Sequence, residues 1–144
     1  MSELTTIPSR AEPRCVTRAQ YSQTTGLFTI YTEVDDGGIE RVLHEAHGYS
    51  GRSYGRNNPD AEAAKNIGPL PRGRYWVSLP FHHAGKGPVV FRLRHVEGVN
   101  HSRSGFLIHG DNPAGDASKG CIILTRADRD AVSRNGVREL VVTV

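Results

Sequence analysis

Thiols, aromatic side chains and long apolar runs are all scarce in this chain. Its 144 residues hold two cysteines, one methionine, one tryptophan and 7% aromatics. Two cysteines do not make a disulfide framework, and Cys15, in a polar Pro-containing stretch, reads as an incidental thiol. No CxxC or HxxxH pair occurs among the cysteines and seven histidines, so a closed zinc site lacks its usual spacing and no metal or other cofactor is expected. No apolar run approaches the roughly 18 residues a spanning helix needs, which argues against membrane insertion. The opening "MSELTTIPSRAEPRC" has neither the basic start nor the apolar core of a secretory signal, giving the expectation of a chain made in the cytoplasm without a signal peptide. Basic residues outnumber acidic ones 18 to 15 but are dispersed, with no Lys/Arg stripe and no nucleic-acid module, so nucleic acid is not an expected partner.

Glycine and proline, by contrast, are plentiful. Sixteen Gly and eight Pro in a chain that is 37% hydrophobic and 23% charged predict one domain of short strands and turns. Residues 1–20 show no periodicity and read as a flexible leader. "GLFTIYTEV" (Gly26–Val34), the turn signal "DDGG" and "IERVLHEAHGYS" (Ile39–Ser50) read as strand, turn and strand. "GYSGRSYGRNNPD" has loop composition, "AEAAKN" suggests a helical turn, and "GPLPRG" is a rigid turn into the strand "RYWVSL". "GPVVFRLRHV" alternates Val90, Arg92 and Arg94 against Val89, Phe91 and Leu93, the period of a half-buried strand. "GFLIH" and "CIIL" are short apolar strands. "TRADRDAVSRNG" predicts a helix capped by Thr125 with Asp128 three residues on, ended by Gly136, and "VRELVVTV" closes the chain as a strand. The sum is about seven strands and one or two helices, a mainly β domain.

His109 ends one of these strands and Cys121 begins another, 12 positions later (121 − 109), across a Gly- and Asp-rich loop. A thiol attacks only as thiolate, and its ordinary pKa near 8.5 leaves little of that at neutral pH. A histidine in reach can take the proton and return it to a leaving amine. Gly120 permits close backbone approach, and amides around Ser118–Cys121 could form an oxyanion hole. The alternative from composition is a small buried hydrophobe opening "CIIL", with His109 a hydrogen-bonded strand-end residue. Chain order separates the pair from papain-like enzymes and related amidases, where cysteine precedes histidine. It also differs from sortases, whose histidine lies far upstream.

"IHGD" followed by "ASKGCI" resembles the histidine–[Ser/Thr]-x-Gly-Cys signature of YkuD-type L,D-transpeptidases. Together with "YSGRSYGRNNPDAEAAKNIGPLPRGRYWV", it resembles the type VI secretion L,D-transpeptidase effectors over roughly Tyr21 to Val132. The resemblance implies a β-sandwich-like catalytic domain, residues 21–144 behind the leader 1–20, acting on peptidoglycan stem tetrapeptides. It implies release of D-Ala, exchange of that residue for another D-amino acid, or both. Cys121 is then the nucleophile and His109 the base, with Ser118 and Gly120 shaping the loop and Asp111 helping to hold it. The group orienting His109 is Asp111, Asp116 or a backbone carbonyl. Tyr49, Ser50, Arg52, Asn57, Asn58 and Lys119 become substrate-binding residues. An immunity protein and a secretion carrier become expected partners, and delivery to a target-cell periplasm the expected route. The ordinary YkuD pattern has a longer interval, a histidine where Lys119 stands, and a polar residue where Ile122, Ile123 and Leu124 follow. Three other functions remain: a peptidoglycan endopeptidase or amidase using the same pair, a non-catalytic wall-binding module, and a cytoplasmic enzyme on some other peptide.

Overall fold

Alternation of apolar and polar side chains organises the structure, a computed structural model that describes residues 16–34 and 38–144. Cys15, most of the proposed leader and the centre of the "DDGG" turn lie outside the described residues. Ten strands are present among the described residues: β1 (Val16–Ser22), β2 (Leu27–Glu33), β3 (Ile39–His47), β4 (Tyr49–Ser50), β5 (Gly73–Val77), β6 (Phe81–His83), β7 (Gly87–Glu97), β8 (Leu107–His109), β9 (Ile122–Ile123) and β10 (Glu139–Thr143), with one helix, α1 (Arg126–Arg134). They pair in the order β3-β2-β1-β10-β5-β7-β8-β9-β4, and β6 adds to β7. All pairings are antiparallel except β1 with β10 and β8 with β9.

Ala19 and Tyr21 of β1, Phe28 and Ile30 of β2, Tyr75 of β5, Phe91 and Leu93 of β7 and Ile108 of β8 alternate into one buried cluster with Ile122 and Leu124. Strands from both ends of the path share this core, so the sheet folds over on itself as a sandwich-like, mainly β domain. Thr125 caps α1: its hydroxyl accepts from the Asp128 amide at 3.2 Å and donates to the Asp128 carboxylate at 2.9 Å. Gly136 follows the helix at φ +64, a conformation that favours glycine.

Three expectations change. The stretch read as leader enters the sheet at Val16, because Ala19 and Tyr21 are buried between β2 and β10 while the polar residues between them hid the alternation. The helical turn lies at Pro59–Ala61, just ahead of most of "AEAAKN", where the Asn58 side chain accepts from the Asp60 amide. The strand count rises from about seven to ten because β1 adds to it and because β4 and β6 are only two and three residues long.

Candidate active site

Parallel pairing of β8 with β9 sets Ile108 beside Ile122 and His109 beside Ile123. One residue back along both strands, Leu107 lies beside Cys121, and the Leu107 N–H donates to the Cys121 thiol at 3.3 Å. Ile108 and Ile122 point into the core. Leu107 and His109 therefore alternate to the other face, His109 one step diagonally from the cysteine. Cα atoms of such diagonal neighbours lie roughly 7–8 Å apart.

His109 is almost fully buried, and its Nδ1 lies 2.7 Å from the Gly110 carbonyl. A carbonyl only accepts, so Nδ1 carries the proton and the neutral ring presents Nε2 as a bare acceptor. That Nε2 is buried and has no hydrogen-bond partner. Burial pushes the imidazole pKa down, against the upward pull of the Gly110 carbonyl, and the charges of Lys86 and Arg129 push it further down. Burial pushes the Cys121 thiol up, with the Leu107 amide, Lys86 and Arg103 pulling it back. Both groups are thus neutral at rest: a protonated thiol beside an unprotonated ring.

The segment leading to the cysteine is clamped. Ser118 is fully buried; its hydroxyl donates to the Cys121 carbonyl at 2.5 Å and accepts from the Gly51 and Gly120 amides at 2.8 and 3.2 Å. Gly120 sits at φ +123, where a Cβ would come within 2.5 Å of an Arg103 guanidinium nitrogen. Arg103 is buried and donates to the carbonyls of Glu62, Gly68, Pro69 and Lys119. A strand-end histidine, a bent Ser-x-Gly-Cys segment and a paired β8–β9 together make a fixed site. A family model described as the Tlde1 domain matches residues 44–144.

The chain belongs to the Tlde1 domain family.

Its structure is similar to that of the helical cell shape determining protein Pgp2 from Campylobacter jejuni, with a TM-score of 0.60 and 19% identity over 91% of this chain and 49% of that one. A variant of Pgp2 gives 0.62 and 18% over 90% and 46%. Mycobacterium tuberculosis L,D-transpeptidase 1 gives 0.57 and 14% over 90% of this chain and 63% of that one. At such identities the likeness is one of fold, and the chain spans about half the length of the Pgp2 structures. A search of curated proteins found no match.

In this Tlde1 domain the proposed orienting aspartates stand elsewhere. Asp111 accepts from the Tyr49 hydroxyl at 2.6 Å, and Asp116 accepts from the Asn112 side chain at 2.9 Å, so the Gly110 carbonyl orients His109. Asp111 does hold the loop, since the same Tyr49 hydroxyl accepts from the Ala117 amide. Most residues read as substrate-binding have their polar groups engaged inside the protein. Tyr49 is buried under the Arg56 guanidinium, 3.7 Å from its ring centroid, and its hydroxyl is pushed up to about 12 by burial and by Asp111. Ser50, fully buried, donates to the Gly120 carbonyl and accepts from the Leu70 amide. Asn57 accepts from Tyr21 and from the Ser50 amide, and Asn58 caps the turn at Pro59. Arg52 donates to the Asn66 carbonyl. Lys119 is exposed beside the cysteine. Tyr49 and Ser50 are therefore buried parts of the framework, whereas Arg52, Asn57 and Asn58 are half-buried and Lys119 is open to solvent. The expected oxyanion hole is also narrowed, because the Gly120 amide is taken by Ser118.

Two arginines escaped the sequence reading. Arg103 sits in the polar loop "HSRSG", where no pattern marks it. Arg129 is signalled by its place on α1, three residues before buried Val132 on the same face. It is buried, donates to the Leu124, Pro88 and Val89 carbonyls, and packs where a Cβ on Gly110 would lie 2.8 Å from its guanidinium. Among the described residues, no three His, Cys, Asp or Glu side chains are grouped to hold a metal ion.

Proposed function

We propose that this Tlde1 domain is a cysteine L,D-transpeptidase or L,D-carboxypeptidase of peptidoglycan stem tetrapeptides. The observation that carries the reading is the His109 imidazole: Nδ1 is fixed as a donor to the Gly110 carbonyl, while Nε2 is bare, buried and diagonal to Cys121. The thiol attacks the carbonyl at the L-centre of the third residue as its proton passes to His109 Nε2. Collapse of the tetrahedral adduct breaks the amide bond. The departing D-Ala amine takes the proton from Nε2 and leaves a thioester on Cys121. Water, or the amine of another D-amino acid, then attacks the thioester with His109 taking its proton, and the thiolate leaves and is reprotonated. Hydrolysis gives the tripeptide, and aminolysis gives the exchanged tetrapeptide.

Incubation with purified tetrapeptide muropeptides, read by mass spectrometry, tests this. The expected product has lost one D-Ala or gained a different D-amino acid. Cys121→Ala and Cys121→Ser should abolish it, while Cys15→Ala should not. Cleavage of crosslinks or of the glycan–peptide amide instead would place the same pair in an endopeptidase or amidase. The full reading includes action in a target cell's periplasm as a type VI secretion effector, with an immunity protein in the producer. Its support is the shared motif pair and the family.

A further inference from the structure

The sheet face that carries the thiol also carries a row of arginines. Arg92 and Arg94 project from β7 on either side of buried Leu93, both exposed. Arg92 is in register with Leu107, whose amide donates to Cys121, so arginine, leucine and cysteine form one row across three strands. At about 4.8 Å per strand, the Arg92 and Cys121 Cα atoms are roughly 10 Å apart. Arg92 and Arg94 line a hollow of about 350 Å³ with Arg103, and a second of about 270 Å³ with Trp76 and Arg138. None of Arg92, Arg94 and Arg138 forms an ion pair among the described residues, although Arg74 and Arg18 on the same sheet do. The row is also stiffened. The Arg92 guanidinium lies 5.2 Å from the Phe81 ring centroid, Arg94 is in register with Trp76, and Arg138 donates to the Val77 carbonyl at 2.9 Å. Guanidinium forks free of ion pairs, one of them held over an aromatic ring, suit bidentate capture of a carboxylate.

A diaminopimelate stem offers such a group. Its side chain ends in a D-centre carboxylate, a few methylenes from the carbonyl that the thiol attacks. That is the scale of the gap between Cys121 and the reach of Arg92. We propose that Arg92 and Arg94, with Arg138 beside them, bind the side-chain carboxylate of the third stem residue and so select diaminopimelate over lysine, which lacks only that carboxylate. The proposal rests on the stem-peptide reading above and adds the subsite.

The test uses two tetrapeptides differing only at the third residue, diaminopimelate or lysine, titrated by calorimetry into the full Cys121→Ala chain, where turnover cannot interfere. The diaminopimelate peptide should bind about tenfold or more tightly than the lysine one, the effect of one charge-assisted pair. Adding Arg92→Gln and Arg94→Gln should erase the preference, while Arg134→Gln, on the exposed side of α1, should leave it. Equal binding of the two peptides, or a preference that survives the double substitution, overturns the proposal. The D-Ala release assay answers separately. Arginine-dependent preference without turnover keeps the subsite and removes the catalytic reading, and turnover without that preference does the opposite.

Discussion

His109 and Cys121 have shifts opposite to those of a preformed ion pair. A resting thiolate–imidazolium needs the thiol lowered and the ring raised, whereas burial here raises the thiol and lowers the ring. On the proposed mechanism, proton transfer therefore accompanies attack. Activity requires the neutral ring, so the acid limb of kcat/KM should lie below the ordinary histidine value of about 6.5. Alkylation of Cys121 by iodoacetamide should have its midpoint above the ordinary thiol value of about 8.5. An acid limb above pH 7, or alkylation complete by that pH, would reverse the assignment. Gly120 is the second sensitive position. Gly120→Ala combines a positive φ with a Cβ driven into Arg103 and should cost about 1–3 kcal/mol of stability and more than tenfold in turnover, read by thermal melts and D-Ala release. At this scale the placement of His109 and Cys121 at the ends of adjacent strands was legible because cysteine is so rare and stands behind Ser-x-Gly. The roles of Tyr49, Ser50, Asn57 and Asn58 were not. A polar side chain in a glycine-rich loop looks the same in sequence whether it faces a ligand or the backbone of a neighbouring loop.

Among the elements, α1 does more than cover the core. Its Arg129 ties the end of β9 to the start of β7 through the Leu124, Pro88 and Val89 carbonyls and lies against Gly110, whose carbonyl orients His109. Its charge also lowers the His109 pKa. Arg129→Gln should then move the acid limb of activity upward, while Arg129→Lys, which keeps the charge but not the fork, should leave the limb in place. Both variants should melt earlier, by about 1–3 kcal/mol, because carbonyls lose their donors. A pH profile unchanged in the Gln variant would confine Arg129 to packing. Long elements with a clear period, β7 and α1 above all, were readable, down to the Thr125 cap. β1 was hidden because Thr17, Arg18 and Gln20 break up its apolar residues and a parallel partner more than a hundred positions away covers it. β6 and β4 are too short to show any period.

At the level of the whole molecule, a buried carboxylate joins distant loops. Glu62 accepts from Gln23, from the Arg72 amide and guanidinium, and from His101. Burial pushes its carboxyl up, but the Arg72, His101 and Gln23 contacts outweigh it and bring the value down to about 2. A depressed carboxylate stabilises the fold fully above its unfolded pKa of about 4.3 and loses that contribution as pH falls toward the folded value. Glu62→Gln should cost about 3 kcal/mol at pH 7, and the gap should close between about pH 4.5 and pH 2 in urea titrations. A gap independent of pH would mean that Glu62 acts only by filling space. Toxicity tests the proposed setting: fused to a periplasmic signal, the chain should lyse a test bacterium, whereas the unfused chain and a Cys121→Ala fusion should not.

Among the described residues, β10 is the one seam between β1–β2–β3 and the strands that bear Cys121 and His109. It is also synthesised last of all the described strands. On the ribosome, each half must wait with an open hydrogen-bonding edge until positions 139–143 emerge from the exit tunnel. A nascent chain stalled before Glu139 is therefore two unmatched sheets and a candidate for chaperone capture, so that one five-residue strand decides when the two halves of the sheet become a single fold.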